Sequence, residues 1–346
     1  MLCARPFKFA IKLAMVAVLA WIVTGVIYEK LGERRDRNRY AQIGRSVDIG
    51  GRTLNLYCSG MGSPTVIFEA PGHTAGFTWI NVQPEVAKLT LACWYDRAGY
   101  GWSDPGPSPR TFAAAARDLH ALVHAAGLPP PYVLVGGNGA ASMHVRVYNA
   151  YYPKDVAGAV LTGAADPDEE AHEPPYMKGA LSSMPPWAMR VGCGVVVPAL
   201  LNLGLLRLAG NPGAGRANVF GALTPEQRQE LNFLSTNPST ARTEGEGCRH
   251  EESDEEVRQA GNFGDRPLVV VESSEPVPAP NPELAAATQA FNDYWFHQLL
   301  PRLAGLSTHG RLVIAKDPTA LQTVVDAVRE VVGKVRGATA TPADNP

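Results

Sequence analysis

The fold of this chain is decided by the stretch Tyr132-Val133-Leu134-Val135-Gly136-Gly137-Asn138-Gly139-Ala140-Ala141-Ser142. Its first five residues form a short apolar run that is typical of a buried strand. Small residues follow, and then Met143-His144-Val145-Arg146-Val147-Tyr148 has the pattern of a helix. The stretch therefore predicts a strand, a sharp turn and a helix. Because Asn tolerates a positive φ better than most residues other than glycine, we expect Asn138 to adopt the strained conformation of the turn.

Strand and helix patterns alternate on both sides of this stretch. Gly50-Gly51 separates two β-rich runs and predicts a hairpin, and a helical pattern from Thr111 to Ala126 ends at a glycine. Alternation at this spacing predicts an α/β fold with a mostly parallel eight-stranded sheet and helices on both of its faces. The strand patterns cover residues 46–49, 53–58, 65–69, 89–95, 132–136, 156–161, 267–271 and 311–315.

The alternation is interrupted once, between residues 165 and 263. This part of the chain holds acidic and proline-rich loops, an apolar stretch, and the charged run Glu251 to Glu256, which we expect to be a solvated helix face. We predict that it forms a cap inserted between the two parts of the core. The predicted boundaries are 29–45 for a polar linker, 46–164 and 264–336 for the core, 165–263 for the cap and 337–346 for a disordered tail.

The N-terminus carries an apolar segment. No charged residue occurs from Leu13 to Tyr28, and with residues 9–12 the segment reaches the roughly 20 residues that a bilayer requires. We predict a transmembrane anchor over residues 9–28. A cleavable signal peptide is the alternative, but no A-x-A-like cleavage site follows the segment.

The orientation of this anchor is predicted from its flanks. Five Lys or Arg residues after the segment against three before it favour a cytoplasmic body. A short basic N-terminus before a signal-like apolar core favours the opposite orientation. We predict a single-pass membrane protein whose body is exported, on the periplasmic or extracellular side.

The net charge argues against a nucleic-acid partner, and the spacing of the His and Cys residues argues against a metal or cofactor. The net charge is −2 at pH 7 and the isoelectric point is near 6.5, so we predict no nucleic-acid partner. The His and Cys residues are scattered along the chain, without a Cys-x-x-Cys pair. We therefore predict no metal site and no cofactor.

Four segments carry a family resemblance. They are Gly60-Met61-Gly62-Ser63-Pro64-Thr65-Val66, Tyr95-Asp96-Arg97-Ala98-Gly99-Tyr100-Gly101-Trp102-Ser103-Asp104, the strand from Tyr132 to Gly136, and Ala157-Gly158-Ala159-Val160-Leu161. Together they resemble the α/β-hydrolase superfamily over roughly Val47 to Arg336, and within it a membrane-anchored branch similar to esterases and proline iminopeptidase-like hydrolases. The resemblance implies a Ser–Asp/Glu–His triad whose serine lies on the strand–turn–helix motif G-x-S-x-G.

The residues at the three triad positions do not fit that chemistry. Asn138 occupies the nucleophile position, and an amide has no hydroxyl that a base could activate. The strand that often ends in the acid is followed here by Thr162 and Gly163, so Gly163 holds the acid position. The loop Ala315–Thr323, where the resemblance implies the base, is short and lacks His, and the last His, His309, precedes the final strand. We predict that the triad has been lost.

Other side chains near these positions are candidate substitutes. We expect the hydroxyl of Ser142, one turn into the helix, to point away from the pocket, and His144 to be a packed or polar-satisfied helix residue. The carboxylates beyond the strands are expected to be solvated loop charges, namely Asp166, Asp168, Glu272 and Glu275. The remaining pocket is predicted to be lined by Gly72, His73, Asn138 and Gly139. In it the turn at residues 70–73 and the Gly139 amide take the oxyanion positions, and His73 is an alternative base.

The cysteines allow one disulfide prediction. In the sheet order that the resemblance implies, the strands that carry Cys58 and Cys93 are neighbours, so we predict a disulfide between these residues in an exported body. A pair between Cys193 and Cys248 is a weaker hypothesis. The alternative is that the cysteines are buried free thiols.

Three hypotheses of function follow. In the first, which we favour, the chain is a membrane-anchored, catalytically degenerate hydrolase that binds a small apolar or acyl-type ligand, or an unknown protein partner, at the pocket or the cap. In the second, it hydrolyses ester or peptide bonds through a non-standard site. In the third, it is a structural protein whose pocket is filled by side chains.

Overall fold

The computed structural model describes residues 4–72, 74–178, 185–209, 221–235, 240, 250–272, 276–316 and 320–340. Within them, eight strands form a sheet in the order β1-β2-β4-β3-β5-β6-β7-β8. The strands are β1 (Arg45–Asp48), β2 (Thr53–Ser59), β3 (Thr65–Glu69), β4 (Ala92–Tyr95), β5 (Tyr132–Gly136), β6 (Val156–Thr162), β7 (Leu268–Glu272) and β8 (Gly310–Ile314). Strand β2 is antiparallel to both β1 and β4, and the other neighbouring pairs are parallel, which confirms the predicted sheet.

Helices surround this sheet and also occupy the described parts of the chain between β6 and β7. Short 3₁₀ turns span Gly76–Trp79, Pro153–Asp155 and Pro282–Leu284, and π-helical turns span Gly192–Val196 and Trp295–Leu299. The α-helices are α1 (Ala4–Arg39), α2 (Gln83–Ala87), α3 (Phe112–Ala125), α4 (Ala140–Tyr151), α5 (Glu169–His172), α6 (Pro186–Val191), α7 (Val197–Asn202), α8 (Leu205–Leu208), α9 (Pro225–Ser235), α10 (His250–Arg258), α11 (Ala285–Tyr294), α12 (Leu300–Ala304) and α13 (Leu321–Ala340).

The sheet is buried on both faces. Successive side chains of β5 point to opposite sides: Tyr132 and Leu134 pack with residues of α3 and α4, whereas Val133 and Val135 pack with residues of α2 and α13. A strand that is covered on both faces needs apolar residues at every position, and this explains why β5 is a continuous apolar run without polar alternation.

Three predicted boundaries differ from the structure. Helix α1 continues to Arg39, so residues 29–39 of the predicted linker are helical, with ion pairs from Glu33 to Lys30 and Arg37 one turn away on either side. Strand β4 begins at Ala92 rather than 89, because residues 88–91 form the turn after α2. Helix α13 runs to Ala340, so residues 337–340 of the predicted disordered tail are helical, and residues 341–346 lie outside the described part of the chain.

The longest part of α1 is a candidate membrane span. From Ile11 to Arg39 the helix has a window of mean hydropathy 2.1, and this window is not buried against the rest of the chain. A helix of this length and composition suffices to cross a bilayer. The segment predicted as an anchor, residues 9–28, lies in this helix.

The described helices between residues 165 and 263 include α10, which carries the charged run. Glu251 lies in this helix, and Ser253 and Val257 on its inner side are buried. Glu256 accepts a hydrogen bond of 2.8 Å from the backbone N–H of Ala113 in the first turn of α3. The run is therefore only in part the solvated helix face that was predicted, because one of its carboxylates satisfies the N-terminus of a core helix.

The predicted disulfide is present. Cys58 on β2 is directly opposite Cys93 on β4 in the antiparallel register, their Cα atoms are 4.1 Å apart, and their sulfurs are bonded. Cys248 lies outside the described residues, so the weaker Cys193–Cys248 pairing remains a prediction.

Candidate functional site

The turn between β5 and α4 lies at the carboxyl end of a central strand. Its strained residue is Gly139, with φ +70° and ψ −126°. Among the described residues other than glycine, only Ala320 has a positive φ, so the prediction that Asn138 adopts the strained conformation is wrong. Glycine takes this conformation at the lowest cost, since it has no Cβ.

The side chain of Asn138 is held against the neighbouring strand. Its Oδ1 lies 3.4 Å from the hydroxyl of Thr162, which can donate a hydrogen bond to it. A Cβ at Gly163 would lie only 2.3 Å from the same oxygen. A side chain at residue 163 would therefore compete with the amide of Asn138 for the same space.

The predicted oxyanion position of Gly139 is wrong. Its N–H donates a hydrogen bond of 2.9 Å to the carbonyl of Gly163, so it cannot also be directed at a developing negative charge. Gly72 lies beside the turn, with its Cβ position 3.5 Å from the Cβ of Ala140. His73, the alternative base, lies outside the described residues.

A buried cluster of charged side chains lies beneath the turn. Glu69, the last residue of β3, accepts a hydrogen bond of 2.6 Å from the guanidinium of Arg97. The hydroxyl of Tyr95 donates to the other carboxylate oxygen, and Nδ1 of His144 is 3.2 Å from Glu69 Oε1. Arg97 also donates to the carbonyls of residues 70 and 71, so the cluster fixes the loop that follows β3.

The charge state of this cluster follows from its contacts. Burial by itself raises the pKa of Glu69, but Arg97, His144 and Tyr95 outweigh burial and lower this pKa to about 2. Burial is also the main influence on His144 and lowers the pKa of its imidazole, which favours the neutral ring at pH 7. Glu69 is therefore an anion that orients a neutral imidazole, an arrangement that general bases also use.

The space around this imidazole is small. A cavity of about 10 Å³, enough for roughly one water molecule, is lined by Glu69, Tyr95, His144 and apolar side chains. His144 also packs its ring against Phe112, with the centroids 4.6 Å apart. As predicted, His144 is a polar-satisfied helix residue, but the sequence reasoning missed its partner Glu69. The sequence did contain a signal for this partner, because Glu69 is an acidic residue at the end of an otherwise apolar, buried strand.

The carboxylates that were candidate acids have other partners. Asp166 is buried and pairs with Arg146 and Arg302, Asp168 pairs with Arg258, and Glu272 accepts a hydrogen bond from the indole of Trp295. The prediction of solvated loop charges is therefore wrong for Asp166 and Glu272, which are buried. Glu275 lies outside the described residues.

One further acid near the end of β6 has a perturbed pKa. Burial, together with the nearby charge of Glu173, raises the pKa of Glu169 to about 7. Ser142 is buried, and its hydroxyl donates to the carbonyl of Gly139 and accepts from the N–H of Ala165.

The last histidine of the sequence, His309, does not follow β8. His309 precedes β8, and its Nδ1 lies 2.7 Å from the carbonyl of Asp265. The loop from Ala315 to Thr323 is described except for residues 317–319, and it contains no His in its sequence. The three triad positions therefore carry Asn138, Gly163 and a loop without an imidazole.

One group of described residues has the composition of a metal site. His120 and His124 lie four residues apart on α3, a spacing that the sequence prediction of no metal site overlooked, and with Asp155 their ligand atoms lie within 4.8 Å of one another. Nδ1 of His120 is 3.1 Å from Asp155, and its ring stacks on Tyr152. This group lies at the amino end of β6, opposite the β5–α4 turn.

The sheet order and the strand–turn–helix motif define a known architecture. The family model for the alpha/beta hydrolase fold matches residues 70–297. The chain belongs to this family. The match covers the β5–α4 turn and the whole of residues 165–263, so Asn138 and Gly163 lie within the matched part of the chain.

Curated relatives match only parts of the chain. The "Probable transporter efuK" of Hormonema carpetanum is 30% identical over 127 residues, which are 34% of this chain and 18% of that protein. An "Uncharacterized vacuolar membrane protein" of Saccharomyces cerevisiae (strain YJM789) is 35% identical over 91 residues, which are 25% of this chain and 14% of that protein. The chain thus spans less than a fifth of the length of either relative.

Solved structures match the whole fold. The haloalkane dehalogenase DbeA-M1 loop variant from Bradyrhizobium elkanii superposes with a TM-score of 0.59 and 17% identity, over 87% of this chain and 98% of that chain. At this identity the likeness concerns the fold of the family alone.

Proposed function

We propose that the chain is a membrane-anchored member of the α/β-hydrolase family that has lost serine-hydrolase chemistry and binds, rather than cleaves, a small apolar or acyl-type ligand or a protein partner. The observation that carries this proposal is the pair of contacts at the turn. Asn138 lies against Thr162 and Gly163, and the adjacent Gly139 amide donates to Gly163.

The chemistry of acyl transfer needs three functions that this turn lacks. A nucleophile needs a hydroxyl or thiol and a base beside it, and Asn138 offers an amide. The intermediate needs amide donors directed at its oxyanion, and the amide of Gly139 is already paired within the protein. Triad members act as a unit, so one restored member contributes little.

The proposal is tested with the full chain purified in detergent. We expect wild type and Asn138→Ser both to remain unlabelled by a serine-reactive fluorophosphonate and inactive on short acyl esters, because neither protein has a base at the end of β8. An active serine hydrolase is the positive control. Turnover by wild type above that of heat-denatured protein would overturn the proposal.

A second candidate function is hydrolysis through a non-standard base. The observation in its favour is that Glu69 orients the neutral imidazole of His144. Against it, the adjacent cavity holds roughly one water. Turnover that is present in wild type and lost in His144→Gln would favour this function, whereas equal absence of turnover in both favours the degenerate protein.

The exported orientation of the body is part of the same proposal. Disulfides persist in oxidising compartments, and the Cys58–Cys93 bond supports export. Carbonate extraction is expected to leave the intact chain with the membranes, and protease added to intact cells or spheroplasts is expected to digest the body. Full protection of the body from protease, released only by lysis, would show the cytoplasmic orientation.

A further inference from the structure

The C-terminal half of α1 is packed against one part of the cap. A Cβ added at Gly25 would lie 2.8 Å from the carbonyl of Leu203, and one at Gly204 would lie 2.7 Å from the ring of Tyr28. Such close approaches need glycine on one of the two facing backbones, and the contact has it on both. The segment that joins α7 to α8 is thus seated directly on α1.

An ion-pair cluster continues this contact towards the C-terminus of α1. The guanidinium of Arg207 on α8 lies 2.9 Å from both carboxylate oxygens of Glu29 and also pairs with Asp36. Glu29 is 4% exposed. A bidentate pair with a buried carboxylate fixes orientation as well as distance. The cap segment is therefore held at a defined position along the axis of α1.

This position along α1 sets the depth of the cap segment relative to the membrane. The apolar part of α1 ends at Tyr28, and Gly25 lies three residues, about 5 Å, before that end at 1.5 Å per residue. If residues 9–28 span the bilayer, then Leu203 beside Gly25 lies at the depth where hydrocarbon meets the headgroups. Arg207, beside Gly32 and Asp36, lies on the aqueous side of that boundary.

The residues before this contact are apolar and uncovered. The helical stretch Trp187–Asn202 contains a single charged residue, Arg190. Trp187 is 70% exposed and Val195 is 62% exposed, and Val191 and Val196 are also exposed. An exposed apolar surface of this kind on a soluble body costs free energy in water, whereas aromatic and aliphatic side chains at the membrane boundary are stabilised by lipid.

Polar residues lie on the aqueous side of the same contact. A cleft of about 230 Å³ between α1, α8 and α9 is lined mainly by charged and polar side chains, among them Arg35, Arg39 and Gln229. The contact thus has apolar residues on one side and charged residues on the other. A helix pair at a bilayer surface requires this distribution of polar and apolar residues.

We infer that the cap segment 186–208 is a second membrane element, with the exposed residues of Trp187–Asn202 in contact with lipid acyl chains of the same leaflet that α1 leaves at Tyr28. This inference rests on the proposed membrane anchoring of α1. It gives the cap a location at the lipid surface, from which an acyl-type ligand is directly accessible.

The inference is tested by depth-dependent quenching in the full chain. Cys3, Cys193 and Cys248 are replaced by Ala, and one cysteine is introduced at Val195→Cys or Val191→Cys on the cap, at Val18→Cys on α1, or at Met61→Cys on the body. Each is labelled with the fluorophore NBD without reduction, so that the disulfide stays intact, and reconstituted in phosphatidylcholine vesicles with or without nitroxide-labelled acyl chains. All four sites are exposed, so the labels replace no packed side chain.

We expect the emission from both cap labels and from Val18→Cys to fall by half or more with nitroxide lipid, and that from Met61→Cys, 88% exposed on the body, to change little. If nitroxide lipid quenches the label at Val18→Cys but neither cap label, the membrane role of the cap is overturned and the anchor stands. No quenching at Val18→Cys would overturn the anchor, and with it the inference.

Discussion

At the scale of single residues, the strained backbone and the polar side chain of the β5–α4 turn belong to two neighbouring residues. The family motif places both on one residue. The strained backbone lies at Gly139, and the side chain that faces the neighbouring strand belongs to Asn138. Because the strain falls on a glycine, the turn no longer needs a residue that tolerates a positive φ at the nucleophile position. A side chain without a hydroxyl at residue 138 is therefore compatible with the turn.

The first prediction concerns this backbone. Gly139→Ala is expected to lower the free energy of unfolding by about 1–3 kcal/mol, since the new Cβ meets no atom within 4 Å and only the positive φ is penalised. The matched control is Gly333→Ala, exposed on helix α13, which is expected to be stabilising by about 0.5–1 kcal/mol. Denaturant unfolding in detergent measures both, and equal stability of Gly139→Ala and wild type would contradict a strained Gly139.

The second prediction concerns the buried pair beneath the turn. The Glu69 side chain is 4% exposed and that of Arg97 is 7% exposed, so Glu69→Gln leaves an uncompensated buried guanidinium and is expected to cost about 3–5 kcal/mol. Glu330→Gln, which neutralises the 27% exposed side chain that pairs with Arg311, is the control and is expected to cost less than about 1 kcal/mol. Similar losses in the two variants would mean that the Glu69 cluster does not hold the loop after β3.

The third prediction concerns acid stability. The folded pKa of Glu69, about 2, is below its usual value of 4.5, so the folded state binds fewer protons there than the unfolded state. The stabilisation is complete above about pH 4.5 and is lost as the pH falls towards 2, an effect on the order of 3 kcal/mol. Unfolding free energies of wild type are therefore expected to fall more steeply than those of Glu69→Gln between pH 5 and pH 2, and parallel curves would contradict this.

At the scale of elements, the order of the strands explains contacts that are remote in sequence. Strand β2 is antiparallel to β4, so Cys58 meets Cys93 across 35 residues. The carboxyl ends of β3 and β4 meet at one edge of the sheet, which brings Glu69 to Tyr95 and Arg97. Helix α10 of the cap satisfies the first turn of α3 through Glu256.

The fourth prediction concerns the strand pair β2–β4. Mass spectrometry of an unreduced digest of the native full-length protein is expected to yield one linked peptide pair containing Cys58 and Cys93, and Cys58→Ala with Cys93→Ala is expected to be about 2–4 kcal/mol less stable. Replacement of Cys3 by Ala is the control and is expected to change neither result. Alkylation of Cys58 and Cys93 without prior reduction would contradict the disulfide.

At the scale of the whole molecule, the anchor and the body are not independent parts. Residues 29–39, predicted as a linker, are instead the helix on which the cap segment at Leu203 to Arg207 is seated. A flexible linker would let the body move freely over the membrane. A continuous helix with a bidentate ion pair fixes the body at one position and one rotation relative to α1.

The fifth prediction tests this docking. Gly25→Leu is expected to separate Leu203 from α1, because even a Cβ there would lie 2.8 Å from its carbonyl oxygen, and overpacking of this kind costs about 1–3 kcal/mol. Hydrogen exchange of residues 197–208 is expected to rise in Gly25→Leu and to stay unchanged in the control Val18→Leu, at an exposed position of the same helix. Unchanged exchange in both variants would contradict the contact.

The sequence by itself determined the sheet, the strand–turn–helix motif, the candidate span and the residue types at the three predicted triad positions, because these depend on local patterns and on residue types at known positions. Apolar runs such as Tyr132 to Gly136 specify a buried strand wherever they fall, and a missing hydroxyl or imidazole is visible without coordinates. Only the tertiary structure decided which contacts the residues at these positions make. The pairing of the Gly139 amide with Gly163, the partners of Glu69 and the docking of Arg207 on Glu29 join residues that are 24 to 178 positions apart. Such contacts are set by the sheet order and by helix packing, and no local pattern encodes them.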